Sequence, residues 1–176
     1  DQMEQYNLYD PRGLSLHCTP GAVSQPDGNE PTGEVFGCHN MWFRTMAQMF
    51  SSISPEMHDE FDVQYSLPLA ERCAYTYYGC CEPLHNKIDK LRRFKNLRRI
   101  SITAWANVDE AAEKIGRDYV LSYKPNPAFV ASPVFDPEPV KAEIKGVLKA
   151  CIRYGTPCEF ILKDISTTAN RPENLT

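Results

Sequence analysis

The run Tyr77-Tyr78-Gly79-Cys80-Cys81-Glu82-Pro83-Leu84-His85 sets two adjacent thiols, an acid and an imidazole directly after an aromatic, β-prone segment. Parallel α/β folds keep their reacting groups at the carboxyl ends of strands, and a helix N-terminus lowers the pKa of a thiol placed there. Cys80 and Cys81 therefore read as metal ligands or as nucleophiles. A helix starting near Pro83 would bring His85 one turn after Cys81, so that Cys80, Cys81 and His85 form a candidate metal set. Soft thiolates and an imidazole with an open fourth position suit zinc and a bound substrate. The plainer alternative is that Cys81 caps the helix and His85 is solvated on its first turn.

Three further groups are candidates for catalysis. Asp164 follows the apolar segment Phe160-Ile161-Leu162; desolvation there would raise its pKa and suit it to carry a proton. Its alternative is an ion pair with Lys124 or Lys163. Glu82 is either an acid–base group or a favourable charge at a helix start. His17, at the end of Leu14-Ser15-Leu16, would face the same cup.

With 176 residues, 42% of them hydrophobic and 24% charged, the chain has the size and composition of one soluble globular domain. A net charge of -4 offers no global field for nucleic acid or an anionic membrane. The basic cluster Lys87, Lys90, Arg92, Arg93, Lys95, Arg98 and Arg99 lacks interleaved aromatic platforms and reads as a solvated helix face. No apolar run approaches a membrane span, and residues 1–10 lack the features of a secretory signal. A cytoplasmic protein is expected. The seven cysteines show no disulfide spacing, so reduced thiols are expected, with Cys73, Cys151 and Cys158 as buried small hydrophobes.

From residue 75 onward, strand and helix alternate with short connections, the pattern of βα units around a parallel sheet. Strands are expected at Ala74 to Tyr78, Arg98 to Thr103, Asp118 to Tyr123 and Cys158 to Lys163. Helices are expected from Pro83 to Phe94, behind an Asn107 cap up to Gly116, and behind Asp136 up to Gly155. Leu14 to Cys18 supplies a fifth strand. Residues 19–38, rich in glycine and proline, form a long irregular loop and a candidate lid. Met41 to Ile53 reads as a helix, as does the stretch after Ser54 with Met57, Phe61, Tyr65 and Leu69, kinked at Pro68. Five strands with abrupt chain ends suggest part of a larger barrel, which would expose sheet edges and self-associate.

The segments Gly79-Cys80-Cys81-Glu82-Pro83, Asn126-Pro127, Phe160-Ile161-Leu162-Lys163-Asp164 and Pro172-Glu173-Asn174-Leu175 resemble the C-terminal half of the uroporphyrinogen decarboxylase superfamily, which includes corrinoid-linked methyltransferases. The resemblance implies the C-terminal part of a (β/α)8 TIM barrel. It further implies a methyltransferase-like enzyme that uses zinc, a small-molecule substrate and a corrinoid protein as partner. Cys80 falls at the cysteine of the family's zinc motif, although Tyr78 stands in place of its histidine and the later strand ends in Lys163-Asp164 instead of cysteine. Two other readings remain open: a decarboxylase, which requires cations gripping carboxylates, and a ligand-binding barrel fragment without turnover.

Overall fold

The computed structural model describes Ser15, Leu16, Thr19, Pro20 and residues 38–175. His17, Cys18 and most of the expected loop at 19–38 lie outside the described residues. Strands β1 (Ser15–Leu16) and β2 (Thr19–Pro20) pair antiparallel on their own. The main sheet comprises β3 (Trp42–Thr45), β4 (Tyr75–Tyr78), β5 (Leu97–Thr103), β6 (Val120–Lys124) and β7 (Cys158–Phe160), all parallel and ordered as they occur along the chain.

Sequential order has a consequence for the layers. Crossovers between parallel strands are right-handed, so when the order never reverses every connection passes over the same face. One cluster accordingly joins Tyr78, Ile100, Ile102, Leu121 and Tyr123 of the sheet to residues of helices α3 (Ile88–Leu91), α4 (Val108–Ile115) and α5 (Pro137–Tyr154). Ile100, Ile102 and Leu121 are fully buried, and each contributes roughly 1.5–3 kcal/mol by leaving water. The protein is thus α/β, with a five-stranded parallel sheet and its helices between strands. Among the described residues no helix is long and apolar enough to cross a membrane.

The helix signals read from the sequence hold at α4 and α5. Asn107 accepts from the Glu110 N–H at 3.3 Å, and Asp136 accepts from the Glu138 N–H at 2.9 Å with Pro137 in the first helical position. Gly116 and Gly155 end these helices at positive φ.

Three expectations are corrected. Met41 to Ile53 is not a helix: Trp42–Thr45 is a strand of the main sheet, followed by a short 3-10 turn at Gln48–Phe50. Its aromatic and β-branched residues fit a pleated surface, and pairing with β4 overrides the helical spacing of its apolar residues. The fifth strand of the sheet is therefore β3, while Ser15–Leu16 stays outside it. The expected helix from Pro83 to Phe94 shrinks to Ile88–Leu91, because residues 79–84 bend irregularly and 85–87 form a turn.

The stretch after Ser54 is helical in three segments, α1 (Pro55–His58), a π turn at Asp59–Val63, and α2 (Gln64–Ala70) containing Pro68. Its buried residues are His58, Val63 and Ala70, while Met57, Phe61, Tyr65 and Leu69 are exposed.

Candidate functional site

At the carboxyl end of β4 the chain turns sharply through Gly79, with φ 100°. A Cβ at this position would lie 2.5 Å from Leu84 Cδ1 and 3.0 Å from Ser101 Cβ, so only glycine fits both the conformation and the space. The turn lets Ser101 Oγ donate to the Cys80 carbonyl at 2.6 Å. Glu82, fully buried, then ties the loop down: one carboxylate oxygen accepts from the Cys80 N–H at 2.9 Å and the other from the Ala47 N–H at 3.0 Å, joining the ends of β3 and β4. Since no helix starts here, Glu82 is a brace between two loops and does not sit at a helix N-terminus.

The brace presents both thiols to Lys163, which follows β7 and is itself buried. Lys163 Nζ donates to Cys80 Sγ at 2.9 Å and to Cys81 Sγ at 3.0 Å, and lies 3.2 Å from Asp164 Oδ2. Cys81 Sγ donates to Asp164 Oδ2 at 3.1 Å, and the two sulfurs are 3.6 Å apart. Burial opposes ionisation of Cys80, but the Lys163 hydrogen bond, those from Cys81 and Arg44, and the ammonium charge outweigh it and hold this thiol below its ordinary pKa. Burial pushes Cys81 up to about 11, assisted against Lys163 by the Asp164 carboxylate and by Cys80. Of the pair, Cys80 is therefore the thiol that ionises more readily. Lys163 is raised in turn, since the thiols and Asp164 outweigh its own desolvation.

The sheet face away from the helices continues this polar environment. Tyr77 is fully buried there, with its hydroxyl 2.8 Å from Ser122 Oγ, and Lys124 donates to that hydroxyl and to Ser122 Oγ. The Arg44 guanidinium and the Lys124 ammonium lie 5.1 and 5.0 Å from the Tyr77 ring centroid. Arg99 stacks over Trp42 and approaches Glu159 at 3.8 Å. Arg44 Nε and Nη2 are buried without a hydrogen-bond partner. Such a row of cations reflects the two-residue period of the strands, which sends Arg44, Tyr77, Arg99, Ser122 and Lys124 to one side.

Of the residues expected to share a mouth, Cys80, Cys81 and Asp164 do meet, with Glu82 bracing their loop, and His85 does not join the thiols. The bends and turn at 79–87 deny His85 the helical offset from Cys81, and its carbonyl instead accepts from Lys114 of α4 at 3.3 Å. The Asp164 side chain is 52% exposed, so the desolvation expected of it is absent; the ion pair with Lys163 is present. Lys163, Arg44 and Tyr77 were not apparent as site residues from their neighbours in sequence. The usable signal was alternation along β3 and β4, obscured at β3 by the helical reading.

Zinc can be tested against these donors. The point between the two sulfurs where a shared cation belongs is filled by the Lys163 ammonium, and among the described residues no group of three or more His, Cys, Asp or Glu is placed to hold a metal ion. As arranged, the donors suit an ammonium better than zinc. A small cleft of about 90 Å³ opens beside Cys81, Thr103, Trp105, Lys124, Lys163 and Asp164. The larger groove, about 450 Å³, lies at the amino end of the strands between Arg117, Leu148, Ile152 and Cys158, away from these groups. Lys124, Lys163 and Asp164 border the smaller cleft, which makes it the candidate site. Comparison of the chain with protein-family models, curated proteins and solved structures returns no match.

Proposed function

We propose that this chain forms the C-terminal part of a (β/α)8 barrel and that its rim transfers a carbon group, methyl in the leading reading, using Cys80 as the nucleophile. The observation that carries the proposal is Lys163 Nζ, 2.9 Å from Cys80 Sγ, which favours the thiolate next to Cys81, the thiol that lines the cleft together with Lys163. In this reading the Cys80 sulfur forms a bond to the transferable carbon, the bond from that carbon to its donor breaks, and the donor keeps the electron pair. Cys81 keeps its proton and steadies the charge, Asp164 orients Cys81, and Glu82 fixes the loop. Arg44, Lys124 and Lys163 favour an anionic, carboxylated substrate.

Free methylcob(III)alamin serves as a donor probe. The expected result is isotopic methyl on the Cys80 peptide of the wild type and none at that position in Cys80→Ser. Equal loss of label from the donor with both proteins would rule out group transfer. The cation row also favours the decarboxylase reading, which needs the cations and not the thiolate. Release of carbon dioxide from a polycarboxylate by Cys80→Ser, lost in Lys124→Met, would select that reaction instead.

A further inference from the structure

Adjacent thiols that share one ammonium, with a carboxylate against the second of them, carry the parts of a second chemistry that needs no organic substrate. Cys80 Sγ lies 3.6 Å from Cys81 Sγ, Lys163 Nζ touches both sulfurs, and Cys81 already directs its proton at Asp164 Oδ2. The cleft lined by Cys81 and Lys163 is small, about 90 Å³ and sized for a molecule of a few heavy atoms, and Cys80 Sγ adjoins Cys81 beside it. We propose that Cys80 and Cys81 are a peroxide-reactive dithiol, in which Cys80 reduces a hydroperoxide and Cys81 closes a disulfide with it.

The electrons balance over two steps. Cys80 sulfur attacks the near oxygen of the hydroperoxide, a sulfur–oxygen bond forms and the oxygen–oxygen bond breaks. The departing alkoxide or hydroxide takes a proton from Lys163, which recovers one from water. Cys81 sulfur then attacks the sulfenic sulfur of Cys80, the sulfur–sulfur bond forms, and hydroxide leaves as water with the Cys81 proton relayed by Asp164. The two sulfurs lose two electrons and the peroxide gains them. Adjacent residues hold their Cα atoms closer than ordinary disulfides require, so the product is strained and readily reduced. Closure would also withdraw the thiolate from Lys163, making the modification a reversible block of the rim.

This inference depends on the thiol pair and not on any substrate, so it stands or falls apart from group transfer. The test treats the full chain with hydrogen peroxide and maps unreduced peptides by mass spectrometry. The expected product is a Cys80–Cys81 disulfide that dithiothreitol reverses, formed at least about tenfold faster than any modification of Cys151. In Cys81→Ser the reaction should stop at a sulfenic acid on Cys80, trapped by dimedone. Conversion of wild-type Cys80 to sulfinic acid without the disulfide, a rate no higher than that of Cys151, or trapping on a different cysteine in Cys81→Ser would each overturn the proposal.

Discussion

Two pairs of cysteines lie near opposite ends of the same sheet, and their surroundings drive them apart. At the carboxyl end, Cys80 and Cys81 both meet the Lys163 ammonium. Toward the amino end, Cys151 of α5 faces Cys158 at the start of β7. Burial pushes Cys151 up to about 12, assisted by the charge and hydrogen bond of Cys158, and no cation offsets it. Both Cys80 and Cys151 are buried, at 7% and 3% exposure, so desolvation alone does not separate them. The main difference is the Lys163 ammonium within hydrogen-bonding distance, to which the hydrogen bonds of Cys81 and Arg44 add. Burial in this fold disfavours the thiolate, and a lysine just beyond β7 opposes that effect at Cys80.

The sharpest way to break the contrast is to remove that ammonium. Lys163→Met should leave the burial of Cys80 opposed only by Cys81 and Arg44, and slow its alkylation at neutral pH by about tenfold to a hundredfold. Rates measured by peptide mapping decide it, with Cys151 as the internal reference.

Next in size is the brace. Glu82→Gln replaces an oxygen that accepts from a buried backbone N–H by an amide nitrogen that cannot, and should cost about 1–3 kcal/mol. A lower urea midpoint together with slower Cys80 alkylation is expected; destabilisation without the rate change would separate the brace from the thiol. A smaller effect belongs to Arg44→Gln, which removes a lesser contributor to the thiolate while leaving Lys163 in place. A few-fold loss in Cys80 alkylation is expected. Smallest is Cys151→Ala, where a change in stability of about 1 kcal/mol should accompany no change at Cys80. Altered Cys80 reactivity in that variant would show the two pairs to be linked.

Much of the frame was legible in the sequence because its signals are local. The caps at Asn107 and Asp136 and the stops at Gly116 and Gly155 act within a few residues, and β4 to β7 carry aromatic or β-branched runs bounded by turns. The segment Met41 to Ile53 was misread because its apolar spacing suits a helix, and only pairing with β4 decides for a strand. That one error hid Arg44, which strand alternation sets on the same face as Tyr77. The joining of Asp164 to Cys81 followed from parallel strand order, which brings the ends of β4 and β7 to one rim. Lys163 was visible only as an ion-pair partner of Asp164. Its contact with sulfurs more than eighty residues earlier in the chain is a property of the assembled sheet.

The most direct measurement is the rate of iodoacetamide alkylation at Cys80 as a function of pH, read on the mapped peptide. A thiolate reacts and a thiol does not, so the rate follows ionisation. The midpoint is expected below the ordinary thiol value of about 8.5, with Cys81 titrating near 11. A Cys80 midpoint at or above the ordinary value, unchanged in Lys163→Met, would contradict the claim that Lys163 makes this thiol the reactive group of the rim.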